Sequence, residues 1–416
     1  MTVIVQKFGG SSLGTLDRIN HVAKKIMAAR QTGHDIVVVV SAMYGETDRL
    51  IRLAHAITHE PDPREFDALI STGEQVSMSL LSIALNANQC PSRSFTGPQV
   101  GIMTDNIHTK ARILDVKTEV FKREFANGRV VIIAGFQGVN EFNDITTLGR
   151  GGSDTTAVAI AIALNADECQ IFTDVDGVYT TDPHLFPEAR LLSEISFEEM
   201  LEMASLGAKV LQIRSVELAN KYNMPIRVLS TFADGPGTLV TLEEKIMQKK
   251  RLVSGIAFSR EEAIISLSGI KRQLGMEGRI VEKISNAHIE IDMIAQNATA
   301  QDTVDFTFTV QRREHAKALQ VVEELAKELG GNIEIKTNAK VAKLSLVGIG
   351  MRSHAGVAST MFKALGAASI NIQMITTSEI KISVVIDETL LEAGVRAVHA
   401  AFELDKQPTS VEAVIE

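Results

Sequence analysis

Val3-Ile4-Val5-Gln6-Lys7-Phe8-Gly9-Gly10-Ser11-Ser12 carries the chain from a β-branched run into a glycine turn. A helical pattern follows over residues 16–30, with Ile19, Val22, Ala23, Ile26 and Met27 on one face. In a strand, glycine turn and helix in that order, glycines let backbone N–H groups approach an anion. The helix N-terminus adds positive potential, and Lys7 adds a mobile point charge. Taken alone, Gly-Gly after a strand reads equally well as a plain tight turn. The rhythm continues outward from this segment. Residues 36–40 form a continuous apolar, β-branched run, which suits a strand covered on both faces. Val130–Ala134 repeats that signature, and residues 169–172 and 226–229 are read as a third and a fourth strand. Helices are expected at residues 115–126, 155–164 and 197–206. Such alternation implies a layered α/β domain with a largely parallel sheet.

Two further segments carry chemistry. Leu148-Gly149-Arg150-Gly151-Gly152-Ser153-Asp154-Thr155-Thr156 opens an apolar helix. Ser153 or Asp154 as a simple N-cap would explain one residue, but not three glycines around an arginine. An arginine against a Gly-rich helix start offers a bidentate grip for a carboxylate or phosphate. Phe172-Thr173-Asp174-Val175-Asp176-Gly177-Val178-Tyr179-Thr180-Thr181-Asp182-Pro183 ends a buried strand, where open α/β sheets bind ligands. Asp176-Gly177 is also a turn signal, so a hairpin is the plain alternative. Neither GxxxxGK[ST] nor GxGxxG occurs, so a P-loop or a Rossmann cofactor site has no support.

Composition narrows the classes. The 416 residues are 45% hydrophobic and 22% charged, which excludes disorder and allows two to four domains. A net charge of −9, 5% aromatics and no tryptophan argue against a nucleic-acid binder. Cys90 and Cys169 form no CxxC and no Cys/His cluster, so neither structural zinc nor a disulfide framework is expected. The N-terminus lacks a signal-peptide stretch and the apolar runs are short, so a cytoplasmic protein off the membrane is expected.

The rhythm changes at residues 243–252, a charged stretch read as a linker or exposed helix. Beyond it a repeat appears. Ile264-Ile265-Ser266-Leu267-Ser268-Gly269-Ile270 resembles Lys343-Leu344-Ser345-Leu346-Val347-Gly348-Ile349. Ile289-Glu290-Ile291-Asp292-Met293-Ile294 resembles Ile370-Asn371-Ile372-Gln373-Met374-Ile375. Residues 306–310 and 382–386 supply alternating strands to each copy, giving two βαββαβ modules of α+β, ferredoxin-like type. The domains are placed at 1–245, 246–338 and 339–416.

Together these motifs resemble the amino-acid kinase family, and within it the aspartokinase branch: Lys7–Ser12, Ser71-Thr72-Gly73-Glu74, Arg150–Asp154, Thr173–Pro183, and Ser41-Ala42-Met43 with Gly45, Thr47 and Asp48. The repeated unit is similar to that branch's paired ACT domains. The resemblance covers nearly the whole chain and implies transfer of the ATP γ-phosphoryl group, with Mg²⁺, to the side-chain carboxylate of L-aspartate. The product, 4-phospho-L-aspartate, opens lysine, threonine, methionine and diaminopimelate biosynthesis. A fused homoserine dehydrogenase is not expected at this length. No protein-held metal site is implied.

The resemblance also implies residue roles. Lys7 binds the transferring phosphate, and Asp154 organises Lys7 and either Mg²⁺ or the substrate ammonium; Phe8, Gly9, Gly10, Ser11 and Ser41 line the phosphate side. Arg150 clamps the substrate α-carboxylate, Glu74 accepts from its ammonium, and Thr47, Gly151, Gly152 and Ser153 contact it. Thr173, Asp174, Tyr179, Asp182, Lys209 and Val210 serve the nucleotide. His184 stands where the family usually has arginine, which weakens a phosphate contact; Arg190 lies nearby in sequence. Lysine, threonine or both are the implied effectors, at Glu290, Ile291, Asp292 and Gln296 in the first module and Val357, Ala358, Asn371, Ile372, Ser378 and Glu379 in the second. The first module departs from the family pattern at Arg272 and Leu274, so its effector site is expected to be altered or lost. Ala355 replaces a common proline in the second. A homodimer or larger assembly through the ACT modules is implied, and Met247 marks a region where some relatives start a separate regulatory subunit. The alternatives are another amino-acid kinase and a catalytically silent amino-acid sensor.

Overall fold

The computed structural model describes residues 2–207, 210–246, 252–299, 303–330, 332–354 and 356–406. They fall into two compact units. The first comprises Met1–Tyr179, Leu191–Ala204 and Lys209–Gln248; the second comprises Thr180–Arg190, Ser205–Ala208 and Lys249–Glu416.

The first unit runs β1 (Val3–Phe8), α1 (Leu16–Gln31), β2 (Asp35–Val40), α2 (Glu46–Ile57), α3 (Pro63–Ile70), α4 (Thr72–Ala87), β3 (Ser92–Phe95), β4 (Ile102–Thr104), β5 (Ile113–Val116), α5 (Glu119–Ala126), β6 (Val130–Ala134), β7 (Gln137–Val139), β8 (Ile145–Thr147), α6 (Gly152–Ala163), β9 (Glu168–Thr173), β10 (Glu194–Ser196), α7 (Phe197–Ser205), α8 (Ile213–Tyr222), β11 (Ile226–Ser230) and β12 (Thr238–Thr241). Eight strands form one sheet in the order β10-β12-β11-β9-β1-β2-β6-β3, and only the β11–β12 pair is antiparallel. Ile36, Val37, Val38, Val39 and Val40 are all fully buried. Each such side chain contributes about 1.5–3 kcal/mol by leaving water, which is why a central parallel strand reads as continuous apolarity. Thr15 caps α1, accepting from Arg18 N, and Ile19, Val22, Ala23 and Ile26 are the face it buries.

Two expectations need correction. Residues 115–126 are not one helix: Ile113–Val116 pairs antiparallel with β4, and the helix begins at Glu119. Strand pairing in a small second sheet, β5-β4-β7-β8, overrides the local pattern there. The helix expected at 155 begins at Gly152, with left-handed Gly151 as N-cap (φ 74°). Ser153 and Asp154 are therefore first-turn residues rather than caps. α3 and α4 follow one another through Pro63–Ala87, a stretch apolar and long enough to cross a membrane by composition alone. Half of it is buried inside the unit, as in a core helix.

The second unit contains β13 (Gly255–Lys271), α9 (Met276–Asn286), β14 (Ile291–Ala298), β15 (Thr303–Gln311), α10 (His315–Leu329), β16 (Glu334–Val347), α11 (Val357–Ala367), β17 (Met374–Thr377), β18 (Lys381–Asp387) and α12 (Leu391–Ala401). Its sheet order is β14-β15-β13-β16-β18-β17. The two long central strands each serve both modules. Residues 262–271 of β13 pair with β15, while residues 255–259 pair with residues 343–347 of β16, which pair on their other side with β18. Separate cores lie under the two halves: Ile265, Leu267, Ile280, Phe306 and Phe308 in one, Leu344, Leu346, Met361, Leu365 and Val384 in the other. Glycine in the left-handed region starts the first helix of each module, Gly275 (φ 79°) and Gly356 (φ 103°).

Candidate active site

The carboxyl ends of the central strands fall level. Phe8 pairs with Val40 and with Phe172, and Val40 pairs with Ala134. Parallel register therefore sets the Gly9-Gly10 turn, Ser41, Gly135 and Thr173 at one end of the sheet, where such folds bind ligands. The rings of Phe8 and Phe172 stack 4.6 Å apart. Gly10 has to be small: a Cβ there would stand 3.0 Å from Ala42 O. Behind the turn, Ser12 Oγ and Thr231 Oγ1 share a 2.6 Å hydrogen bond, and Thr231 N donates to Thr173 O at 2.8 Å.

α6 enters this end from its first turn. Lys7 Nζ lies 2.6 Å from Asp154 Oδ1, both side chains nearly buried. Ser153 packs over Gly135, whose Cβ would stand 2.9 Å from its Oγ. The turn before α6 needs its glycines. Gly149 (φ 75°) and Gly151 (φ 74°) are both left-handed, and a Cβ on Gly151 would lie 2.0 Å from Gln212 Cγ. Arg150, between them, is exposed and has no hydrogen-bond or ion-pair partner among the described residues.

Glu74, in the first turn of α4, is buried. Its Oε1 accepts from Ala42 N at 3.1 Å, while Oε2 has no hydrogen-bond partner among the described residues. Burial pushes its carboxyl up to about 8, opposed only in part by the amides of Ala42 and of Glu74 itself. Gly73 allows the close approach, since a Cβ there would stand 2.9 Å from Ala42 Cβ. Thr47 lies half-buried in the first turn of α2, behind left-handed Gly45.

The structure thus brings Lys7, Gly9, Gly10, Ser11, Ser41, Ser153, Asp154 and Thr173 to one sheet end, with Glu74 bonded into the Ser41–Ala42 loop. Thr173 Oγ1 donates to Asp174 Oδ1 at 3.0 Å, and Tyr179 OH to Asp176 Oδ2 at 3.4 Å. Asp182 and His184 belong to the second unit, where His184 N donates to Asp182 Oδ1. Val210 is half-buried in a turn; Lys209, Met247 and Ala355 lie outside the described residues. Sequence reading missed Gln212 and Arg214. Arg214 donates to Leu148 O through Nη1 (2.7 Å) and Nη2 (3.0 Å), fixing the entry to the Arg150 turn. Neither residue has a local signal, because each acts on a turn far away in sequence.

In the second unit, Asp292 pairs with buried Lys343, which also lies 3.3 Å from Glu262 Oε1. Gln296 Nε2 donates to Glu277 Oε1 at 2.9 Å. Glu290 is exposed, Ile291 pairs with Val310, and Leu274 is fully exposed. In the second module, Val357 is buried at the start of α11 beside Ala358, and Asn371 is exposed next to half-buried Ile372. Ser378 N donates to Lys381 O, and the exposed Glu379 faces Arg352 Nε at 3.5 Å.

Known proteins supply the context for this geometry. Residues 2–230 match the model of the amino acid kinase family, and residues 265–325 and 344–402 match that of the ACT domain. The chain is 58% identical over 405 residues to an aspartate kinase of Pseudomonas putida, covering 97% of this chain and 98% of that one. The solved aspartate kinase of Synechocystis is 40% identical with a TM-score of 0.55, covering 99% of this chain and 71% of that one. E. coli aspartokinase III, solved with aspartate and ADP and again with lysine and aspartate, shares the fold at 24% identity and a TM-score of 0.76, covering 96% of this chain and 99% of that one. The chain belongs to the amino-acid kinase family, as a member with appended ACT domains. Its activity is that of an aspartate kinase: it moves the γ-phosphoryl group of ATP to the side-chain carboxylate of L-aspartate.

Proposed function

We propose that this activity runs on the cluster at the carboxyl end of the large sheet, with Lys7 at its centre. The acceptor carboxylate, with an ordinary pKa near 3.9, arrives ionised, so no general base is required. The barrier is repulsion between that carboxylate and the polyanionic nucleotide. Positioned positive charge and hydrogen-bond donors lower it. Lys7 meets the transferring phosphate, held by Asp154, and the Gly9-Gly10-Ser11 turn with Phe8 beneath it and Ser41 beside it cradles the phosphates. Thr173, Asp174, Tyr179, Lys209 and Val210 receive the rest of ATP.

Arg150 takes the α-carboxylate of aspartate in a bidentate grip. Glu74 takes the α-ammonium, and its unpartnered buried oxygen supports that role. Thr47, Gly151, Gly152 and Ser153 complete the substrate pocket. Mg²⁺ travels with the nucleotide in this reading and offsets phosphate charge. An ion of that kind is held by one or two carboxylates and the phosphates; Asp154 organises either it or the substrate ammonium.

Lysine, threonine or both act as effectors at the ACT modules. Assembly is at least a homodimer through those modules, and the enzyme works in the cytoplasm. The observation that carries the catalytic reading is the 2.6 Å Lys7–Asp154 pair beside the glycine turn. The test is hydroxamate formation with ATP, Mg²⁺ and aspartate, glutamate or acetylglutamate, in the wild type and Lys7→Met. Aspartate-specific product that disappears in the variant supports the reading; full activity in the variant overturns it.

A further inference from the structure

Asp67, on α3, is completely buried and outside every role assigned above. A buried carboxylate is costly unless donors surround it. Its donors here are the ring Nδ1 of His108 at 2.7 Å, Thr109 N at 3.1 and 3.0 Å, and the hydroxyl of Thr147. Thr109 is held at φ 66°, a left-handed conformation that a β-branched residue resists and that persists only where its surroundings dictate it. What this arrangement presses on is the Arg150 turn. Thr109 O stands 3.0 Å from where a Cβ of Gly149 would be, Ala111 N donates to Thr147 O at 2.9 Å, and Thr147 is the last residue of β8 before Leu148. Arg214 grips Leu148 O from the other side.

We propose that Asp67 is a positioning residue for Arg150. By tying residues 108–109 and the end of β8 to α3, it fixes the turn from which the guanidinium reaches the substrate. This rests on the reading of Arg150 as the α-carboxylate clamp. Asp67→Asn keeps the shape but removes acceptor capacity, since an amide cannot accept from all three partners. The expected result is an aspartate KM raised about 10-fold, with the ATP KM and kcat within about 3-fold of wild type, because a misplaced clamp loses substrate binding. Thr147→Val, which removes one donor, should raise the aspartate KM by a smaller factor and covers the case in which Asp67→Asn does not fold. The decisive comparison repeats each variant in an Arg150→Ala background, where the added effect should vanish. A KM rise shared equally by ATP and aspartate, no rise in either variant, or an undiminished effect without Arg150 overturns the proposal. If Arg150→Ala alone leaves the aspartate KM unchanged, the clamp reading has failed instead, and this proposal falls with it.

Discussion

Lys7 and Arg150 are both cations beside glycine-rich turns of the same unit, Lys7 at the end of β1 and Arg150 within its turn, yet the structure treats them oppositely. Lys7 is nearly buried and tied to Asp154 at 2.6 Å; Arg150 is exposed and has no partner among the described residues. A buried ion pair costs desolvation that its own attraction barely offsets, so it is poor evidence of stabilisation and better evidence of placement. The Asp154 pair orients Lys7, as the proposed role of a charge meant for the transition state requires. In the reading proposed above, Arg150 would keep its hydration until the substrate carboxylate displaces it, as suits reversible capture. What restrains Arg150 is backbone: two left-handed glycines, Gln212 against one of them, and Arg214 on the carbonyl just before.

The most direct way to break this contrast is to remove each cation. Lys7→Met should lower kcat by about 100-fold or more, and Lys7→Arg should not restore it, since a planar fork does not replace a point charge in a fitted site. Arg150→Ala should act on the other kinetic constant, raising the aspartate KM about 10- to 100-fold with the ATP KM little changed. Steady-state kinetics with each substrate varied in turn separate the two. If both variants moved kcat alike, placed and free cations would not differ in role.

Glu74 sharpens the comparison through pH. Its carboxyl is raised to about 8 by burial, above its unfolded value near 4.5, so the folded chain holds the proton more tightly than the unfolded one. Ionisation therefore costs stability, beginning as pH rises past the unfolded value and complete above about 8. Glu74→Gln should be more stable than wild type by an amount that grows across that window to a few kcal/mol, on the order set by linkage. Denaturant unfolding at pH 5, 7 and 9 checks it. Aspartate binding should show the opposite benefit: the ammonium needs the ionised form, so wild-type KM should fall as pH rises from 6 to 8, and Glu74→Gln should flatten that profile.

Much of this could be read from the residues because it is local. Continuous apolar runs mark the buried strands, and glycine clusters mark the turn that follows Lys7 and the turn that carries Arg150. The start of α6 was misjudged because Gly152 and Ser153 look like loop residues until Gly151 is seen to cap the helix. Asp115 and Val116 read as a helix start because the strand they end pairs only with β4, in a small sheet that has no strong pattern of its own. Asp67, Gln212 and Arg214 were silent for a different reason: a buried acid or a helix-start arginine is ordinary until distance shows what it holds. The double duty of β13 and β16 was equally hidden, since a repeat in sequence implies two self-contained modules and the pairing of residues 255–259 with 343–347 crosses that division.

The smallest expected effect concerns the two ACT modules, which repeat the held-versus-free contrast on a weaker scale. Asp292 already has an ammonium partner in Lys343, and Gln296 is spent on Glu277. Glu379 is largely exposed, with Arg352 at the long distance of 3.5 Å. At the effector positions proposed above, an amino acid would meet competition at the first and little at the second. Glu379→Gln should weaken inhibition by lysine or threonine about 2- to 5-fold, the scale of one exposed ion pair, while Asp292→Asn should leave it within error. Titration calorimetry with each amino acid in wild type and both variants decides it. Two independent saturable sites in the wild type, or loss of inhibition in Asp292→Asn, would show that the Lys343 pair yields to a ligand, and the first module would then have to be counted as a working sensor.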